Sequence, residues 1–299
     1  MTLKDITDVL TFASFRPEPD DPSAPWSKRF PKQRSLLLNF SRDTITWQGV
    51  EKGGQLGESG SIPAAGDLKE IVTEMAEEWL SLADDGWCGV SINHRFVISL
   101  DANLTRKKGT EELIRTNPKA ALGAKAERGK RYAVKHNPES NTSVLLAVDE
   151  EYVKQIETVL DGSGLKIGRI SCGIFAMFCD AVDQMAEARE QYMKSSPNSP
   201  LGKIVIVANC EGSICVMTTD EERWVELRSR SGLYTEDDLE PVMKIIRPLV
   251  DNAGSGAQLV LASDSGGGAV KELLISSLPN TKISDISMPE GLWTLLKEK

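Results

Sequence analysis

The feature that most restricts the fold is a buried strand that occurs twice. Ser35-Leu36-Leu37-Leu38-Asn39-Phe40 and Lys203-Ile204-Val205-Ile206-Val207-Ala208-Asn209 are apolar runs without polar alternation, the pattern of strands covered on both faces. Each run meets a tight turn, Ser41-Arg42-Asp43 or Cys210-Glu211-Gly212, and then a second strand, through Ile45 and Trp47 or from Ser213 to Thr218. Two hairpins of this kind predict two sheets with helices packed on them, an α/β protein.

The segments after the two hairpins also match. After the first come a turn at Gly53-Gly54, a third strand ending at Ser61-Ile62-Pro63, and a helix whose buried face is Leu68, Ile71, Val72, Met75, Trp79 and Leu80. A strand from Trp87 to Ile92 closes the unit. After the second come a strand at Trp224 to Arg228, a helix across Asp237 to Val250, and a strand at Gln258 to Ala262. The loop Ser263-Asp264-Ser265-Gly266-Gly267-Gly268, a helix through Leu278 and a strand around Ile283 complete it. The sequence predicts a repeat of architecture without a repeat of residues.

Between the halves the composition changes. Arg106 to Lys135 holds ten lysines and arginines against three glutamates, and predicts an inserted subdomain. A strand at Ser143 to Val148, a helix from Asp149 to Leu160 stopped by Gly162 and Gly164, and a strand from Leu165 to Ile170 come next. A helix from Gly173 to Met193 then leads to the breaker Ser195-Ser196-Pro197-Asn198-Ser199-Pro200. At 299 residues the chain is long enough for two modules of roughly 150 residues each. The expected organisation is a helix at 2–14 and a Pro-rich linker within 1–33, a first domain at 34–195 with an insertion at about 95–170, and a second domain at 196–299.

Charge and composition narrow the partners. A net charge of −9 repels phosphate backbones, so nucleic acid is not expected. No apolar run approaches the roughly 20 residues of a membrane helix, and the amino terminus lacks a secretory pattern, which predicts a cytoplasmic address. Cys88, Cys172, Cys179, Cys210 and Cys215 form no CxxC pair, and the two histidines are His94 and His136. Neither a disulfide framework nor a structural zinc site is expected, and the cysteines read as small packing groups. His94, between Asn93 and Arg95 at a strand end, reads as a surface histidine. The basic run reads either as a solvated loop or as a contact for an acidic partner or membrane surface.

In this order of elements the chain resembles the actin-like, ribonuclease-H-like ATPase superfamily over about Arg34 to Ile286. Within it the chain looks most like the PilM and GspL proteins of type IV pilus assembly and type II secretion. The resemblance implies two actin-like domains, each a mixed five-stranded sheet flanked by helices, with a small α/β insertion in the first. In active members an aspartate ends the first strand and the turn after it holds phosphate. The matching residues here are Asn39, Ser41, Arg42, Asp43 and Thr44. The Asp-x-Gly of the second hairpin falls on Ala208-Asn209-Cys210, and the adenosine loop on Gly266-Gly267-Gly268-Ala269.

With both aspartates replaced, the resemblance implies a scaffold with weak or lost nucleotide binding and no assigned catalytic or metal residue. If ATP and magnesium bind, Ser41, Arg42, Asp43, Thr44, Gly266, Gly267 and Gly268 are the expected contacts. The implied partners are the cytoplasmic tail of an inner-membrane protein and other platform proteins, with membrane association through them or through a segment outside this chain. The tail would lie between the first domain and its insertion, using main-chain hydrogen bonds and side-chain pockets. Two alternatives stay open: an active ATPase or small-molecule kinase using Asp43 and the glycine loop, and an acyl or redox enzyme based on Cys210.

Overall fold

Leu36, Leu37 and Leu38 in β1 (Ser35–Phe40) are all fully buried, because their sheet is covered on both faces. A computed structural model describes residues 30–101, 104, 109–137, 142–195, 203–210, 212–220, 223–234, 238–254, 257–264 and 268–297. The helix expected at 2–14 and nearly all of the Pro-rich linker lie outside the described residues. β1 pairs antiparallel with β2 (Thr44–Val50), and β2 pairs antiparallel with β3 (Leu56–Pro63). The chain crosses through α1 (Leu68–Ser81), whose amino end is capped by the Asp67 side chain, to β4 (Trp87–Ile92), parallel to β1. Trp79 of α1 is fully buried and packs against Trp47 of β2, with ring centroids 6.1 Å apart.

The insertion begins with β5 (Phe96–Asp101), a strand that the sequence reading does not include. It continues through α2 (Thr110–Thr116), α3 (Pro118–Leu122), β6 (Lys130–Asn137) and β7 (Thr142–Asp149), giving a three-stranded sheet of order β5-β7-β6. α4 (Glu150–Gly162) leaves this sheet but buries Val153, Ile156 and Leu160 against the outer face of the first sheet. Burying side chains of this size contributes roughly 1.5–3 kcal/mol each. Arg131 of β6 ties the two together, reaching Glu150 at 2.7 Å and Glu157 at 2.6 Å on α4.

β8 (Lys166–Cys172) then pairs parallel with β4 and completes the first sheet, of order β3-β2-β1-β4-β8. The sequence reading put this strand inside the insertion, which it extended to about 170. The strand belongs instead to the first sheet, because it pairs with β4 and Ile167 and Ile170 pack in the core of the first lobe.

α5 (Gly173–Ser195) leads to the second lobe. There β9 (Ile204–Cys210), β10 (Ser213–Asp220) and β11 (Arg223–Arg230) form a meander, followed by α6 (Glu240–Ala253), β12 (Gln258–Ser263), α7 (Gly268–Ser277) and β13 (Lys282–Ser287). The second sheet has order β11-β10-β9-β12-β13, the counterpart of the first. A 3₁₀ turn at Pro289–Trp293 and α8 (Thr294–Lys297) fold back, and Leu292, Trp293 and Leu296 enter the core between the lobes with Ile174, Phe175 and Phe178 of α5. The sequence reading extends the second domain to 299 but assigns no element after the strand around Ile283, so this closure is found only in the structure.

Backbone bonds fix how the lobes correspond. Asn93 N donates to Phe40 O at 2.9 Å, as Asp264 N does to Asn209 O at 3.4 Å. Asp84 N to Arg34 O and Gln258 N to Lys203 O repeat the match at the other strand end. Asn39 therefore corresponds to Ala208, the pairing the sequence suggested. Across the first sheet the row is Asn39, Ser91 and Ser171; across the second it is Ala208, Ala262 and Ile286.

Candidate functional site

The carboxyl ends of parallel strands are where open α/β sheets present ligand-binding residues, and β1 and β4 end side by side. Two neighbouring environments form there, one sealed and one open.

The sealed one is the junction of the lobes. Asn93, just past β4, is 2% exposed and has four polar groups engaged. Its N–H donates to Phe40 O, its Oδ1 accepts from Ile174 N at 2.8 Å, its Nδ2 donates to Cys210 Sγ at 3.2 Å, and its carbonyl accepts from Ser213 Oγ at 2.7 Å. It thereby joins the first sheet, the start of α5 and the second hairpin. Gly173 closes the remaining space: a Cβ there would lie 2.2 Å from Ser91 Oγ, 2.5 Å from Asn93 Oδ1 and 3.2 Å from Asn39 Oδ1.

Asn39, 1% exposed, donates through Nδ2 to Ser41 Oγ at 3.1 Å, while its Oδ1 and the hydroxyls of Ser91 and Ser171 have no protein partner. These side chains are amides, hydroxyls and a thiol. Hard divalent cations favour carboxylate oxygens, so this donor set does not fit magnesium. Among the described residues no group of three or more His, Cys, Asp or Glu is placed to hold a metal. Cys210 is fully buried, and burial pushes the Cys88 and Cys172 thiols up to about 12 and Cys215 well above its ordinary value. Thiols held up in this way stay protonated near neutral pH and are poor nucleophiles.

The open environment is a cavity of about 240 Å³ between the first sheet, α1 and α4. Phe40, Ser41, Arg42 and Ile45 line it from the first hairpin, Ala64, Gly66, Asp67 and Leu68 from the start of α1, His94 and Arg95 from the β4–β5 turn, and Tyr152 and Gln155 from α4. Its lining residues come from turns and helices and from strand residues already paired within the first sheet.

His94 is not the surface residue the sequence suggested. Its Nδ1 lies 3.2 Å from Phe40 O, and because a carbonyl only accepts, Nδ1 carries the proton and Nε2 is left as an acceptor. The ring meets Tyr152 edge-on with centroids 4.6 Å apart, and burial lowers its pKa to about 4, so it is neutral near pH 7. Arg95 adopts φ 58, in the left-handed region, with its carbonyl accepting from Asp149 N at 3.1 Å. Its guanidinium carbon sits 4.6 Å from the Tyr152 ring centroid, a cation–π contact. Burial also raises the Tyr152 hydroxyl to about 12, so the ring stays neutral.

Of the residues singled out by resemblance, Ser41 and Arg42 line this cavity, Asp43 stands at the hairpin tip with its side chain 83% exposed, and Thr44 begins β2. Gly268 opens α7, which covers the outer face of the second sheet; Gly266 and Gly267 lie outside the described residues. His94, Arg95 and Tyr152 were not assigned to a site. The available signal was Asn93-His94-Arg95, three polar residues placed directly after a fully buried parallel strand.

No family model and no curated protein matches the chain in sequence. Solved structures do match in shape. The PilM–PilN type IV pilus biogenesis complex aligns at a TM-score of 0.56 with 13% identity, covering 88% of this chain and 90% of the other. A Bacteroides thetaiotaomicron protein with actin-like ATPase fold and unknown function aligns at 0.54 with 13% identity, covering 90% and 97%. The chain has the actin-like fold. The cytoplasmic domain of EpsL, an inner-membrane component of the Vibrio cholerae type II secretion system, aligns at 0.46 with 12% identity over 77% of this chain and 82% of that one. Two mixed five-stranded actin-like sheets with a small α/β insertion are therefore as expected from the sequence.

Proposed function

We propose that this chain is a cytoplasmic scaffold of a pilus or secretion platform that seats a segment of an inner-membrane partner between its first lobe and its insertion. Its likeness to the PilM–PilN complex supports the setting. Among the described residues no helix is long and apolar enough to cross a membrane, so membrane association would come through the partner or through other sequence. The observation that carries the reading is the contrast at one strand end: the interlobe junction is bridged by Asn93, Cys210 and Ser213, whereas the cavity beside it is open.

Phosphoryl transfer depends on positioned charge around the phosphates. The direct contacts across the junction and the missing carboxylates argue that ATP with magnesium binds weakly or not at all through Ser41–Thr44 and Gly268. Calorimetry of the whole chain tests this, first with magnesium and ATP, then with peptides covering cytoplasmic tails of inner-membrane proteins encoded beside it. The expected result is heat with a tail peptide and none with nucleotide. Micromolar nucleotide binding with turnover would replace the scaffold by an actin-like ATPase or kinase.

A further inference from the structure

The cavity beside His94 specifies what it can hold. Its volume of about 240 Å³ is enough to admit one side chain of a bound segment. Its polar lining is dominated by donors. Ser41 is 2% exposed and accepts a hydrogen bond from Asn39 Nδ2, which leaves its own hydroxyl proton to donate. Arg42 on the first hairpin and Arg95 on the β4–β5 turn are the two cations of the lining; Arg42 also lies 3.8 Å from the exposed Asp43 carboxylate, a loose surface pair that an incoming carboxylate would compete with. Arg95 is stacked on Tyr152, which holds its guanidinium in place. The one acid in the lining, Asp67, already accepts from Lys69 N at 2.9 Å as the cap of α1. A donor-rich cavity on a protein of net charge −9 is a local reversal of sign.

Resting on the reading that this cavity receives a partner's segment, we propose that the residue seated in it is acidic, an Asp or Glu side chain whose carboxylate is held by Ser41, Arg42 and Arg95. A carboxylate matches the fork of an arginine and accepts from a hydroxyl at the same time. A lysine would meet two cations. An amide would satisfy the His94 Nε2 acceptor but gain only neutral bonds, which are weaker than charge-assisted ones.

The test uses the whole chain and pools of capped, fluorescently labelled hexapeptides with one position fixed as Glu, Asp, Gln or Lys, read by anisotropy near neutral pH. The Glu or Asp pool should bind about tenfold tighter than the Gln pool, a preference that Arg95→Gln and Arg42→Gln each reduce and that salt weakens. Gln155→Trp, on the exposed side of α4, should obstruct the mouth and weaken all pools. A photo-reactive peptide should cross-link near Tyr152, which locates the site independently of that variant.

Equal binding of the Glu and Gln pools, or preference for Lys, with cross-linking at Tyr152, overturns the acidic assignment and leaves the groove reading standing. Binding by no pool, or cross-linking elsewhere, defeats the groove reading and this inference with it. Acetate or inorganic phosphate binding as tightly as the acidic peptides would make this a small-anion pocket and overturn the assignment to a side chain.

Discussion

Asn93 donates its side-chain amide to the Cys210 thiol, 3.2 Å away, and so bonds the end of one lobe's fourth strand to the first turn of the other lobe. The same residue accepts from Ile174 N and Ser213 Oγ. Asn93→Ala would strip partners from the buried Ile174 amide and from Cys210 at once. Leaving a buried group unsatisfied costs about 1–3 kcal/mol, so a loss of about 2–4 kcal/mol is expected in urea unfolding. A loss within about 0.5 kcal/mol, a size typical of surface substitutions, would show that the junction does not hold the lobes together.

Gly173 is required by space rather than by backbone conformation. Gly173→Ala places a methyl 2.2 Å from Ser91 Oγ and should cost about 1–3 kcal/mol through overpacking. Adding Ser91→Gly should recover part of that loss but not all, because Asn93 Oδ1 remains 2.5 Å from the new carbon. Additive effects of the two substitutions, with no recovery, would contradict the contact.

His94 makes stability depend on pH in a defined window. Its folded pKa, lowered from 6.5 to about 4 by burial, means that the unfolded chain binds more protons between those values. Stability from this group is therefore present above about pH 6.5 and lost as pH falls toward 4. Partial exposure limits the effect to roughly 1–3 kcal/mol. Urea midpoints taken across this range should fall with acid in the parent and stay flatter in His94→Gln. Asp84 and Glu150, whose carboxyls are lowered from 3.8 by the Arg34 backbone and from 4.5 by Arg131 respectively, start to lose their contributions as pH falls through those values, at the acid end of this window and below it.

Placing a carboxylate at the end of the first strand supplies the sharpest test of the scaffold reading. Asn39→Asp would put that charge at a site 1% exposed, beside Ser91 and Ser171. Raising its pKa by about 2 units would cost about 3 kcal/mol at neutral pH, and the cost would fade as acid neutralises the group. Magnesium and ATP should not restore the melting temperature. A clear upward shift on adding them would reveal a working nucleotide site at this junction.

The unbroken apolar runs of β1 and β9, and the spaced apolar stripes of α1 and α6, were legible from sequence because burial on both faces, or on one helix face, leaves a strong pattern. β5 was not, since Phe96, Val97 and Ile98 come after a polar turn and Val97 faces outward at 40% exposure. The fold-back of Leu292, Trp293 and Leu296 was missed because a 3₁₀ turn and a one-turn helix carry little periodicity. At the site, the hairpin turn that the resemblance names supplies Ser41 and Arg42 to one wall of the cavity beside α1 and α4. Its far wall, Tyr152 and Gln155, is more than a hundred residues away along the chain, and only the packing of α4 on the first sheet brings it there.

The contact between the insertion and the second lobe has a mechanical consequence. Ser229 of β11 accepts from Ile98 N at 2.7 Å and donates to Ile98 O at 3.1 Å, so one hydroxyl stands in for strand pairing along β5, and Ser231 adds a bond to Phe96 O. The insertion is thus anchored at two places, to one lobe through α4 and to the other through this serine clasp. With both attachments in place the two lobes and the insertion form a closed ring of contacts, so swinging the insertion away from either lobe requires breaking buried bonds to the other or unpacking α4.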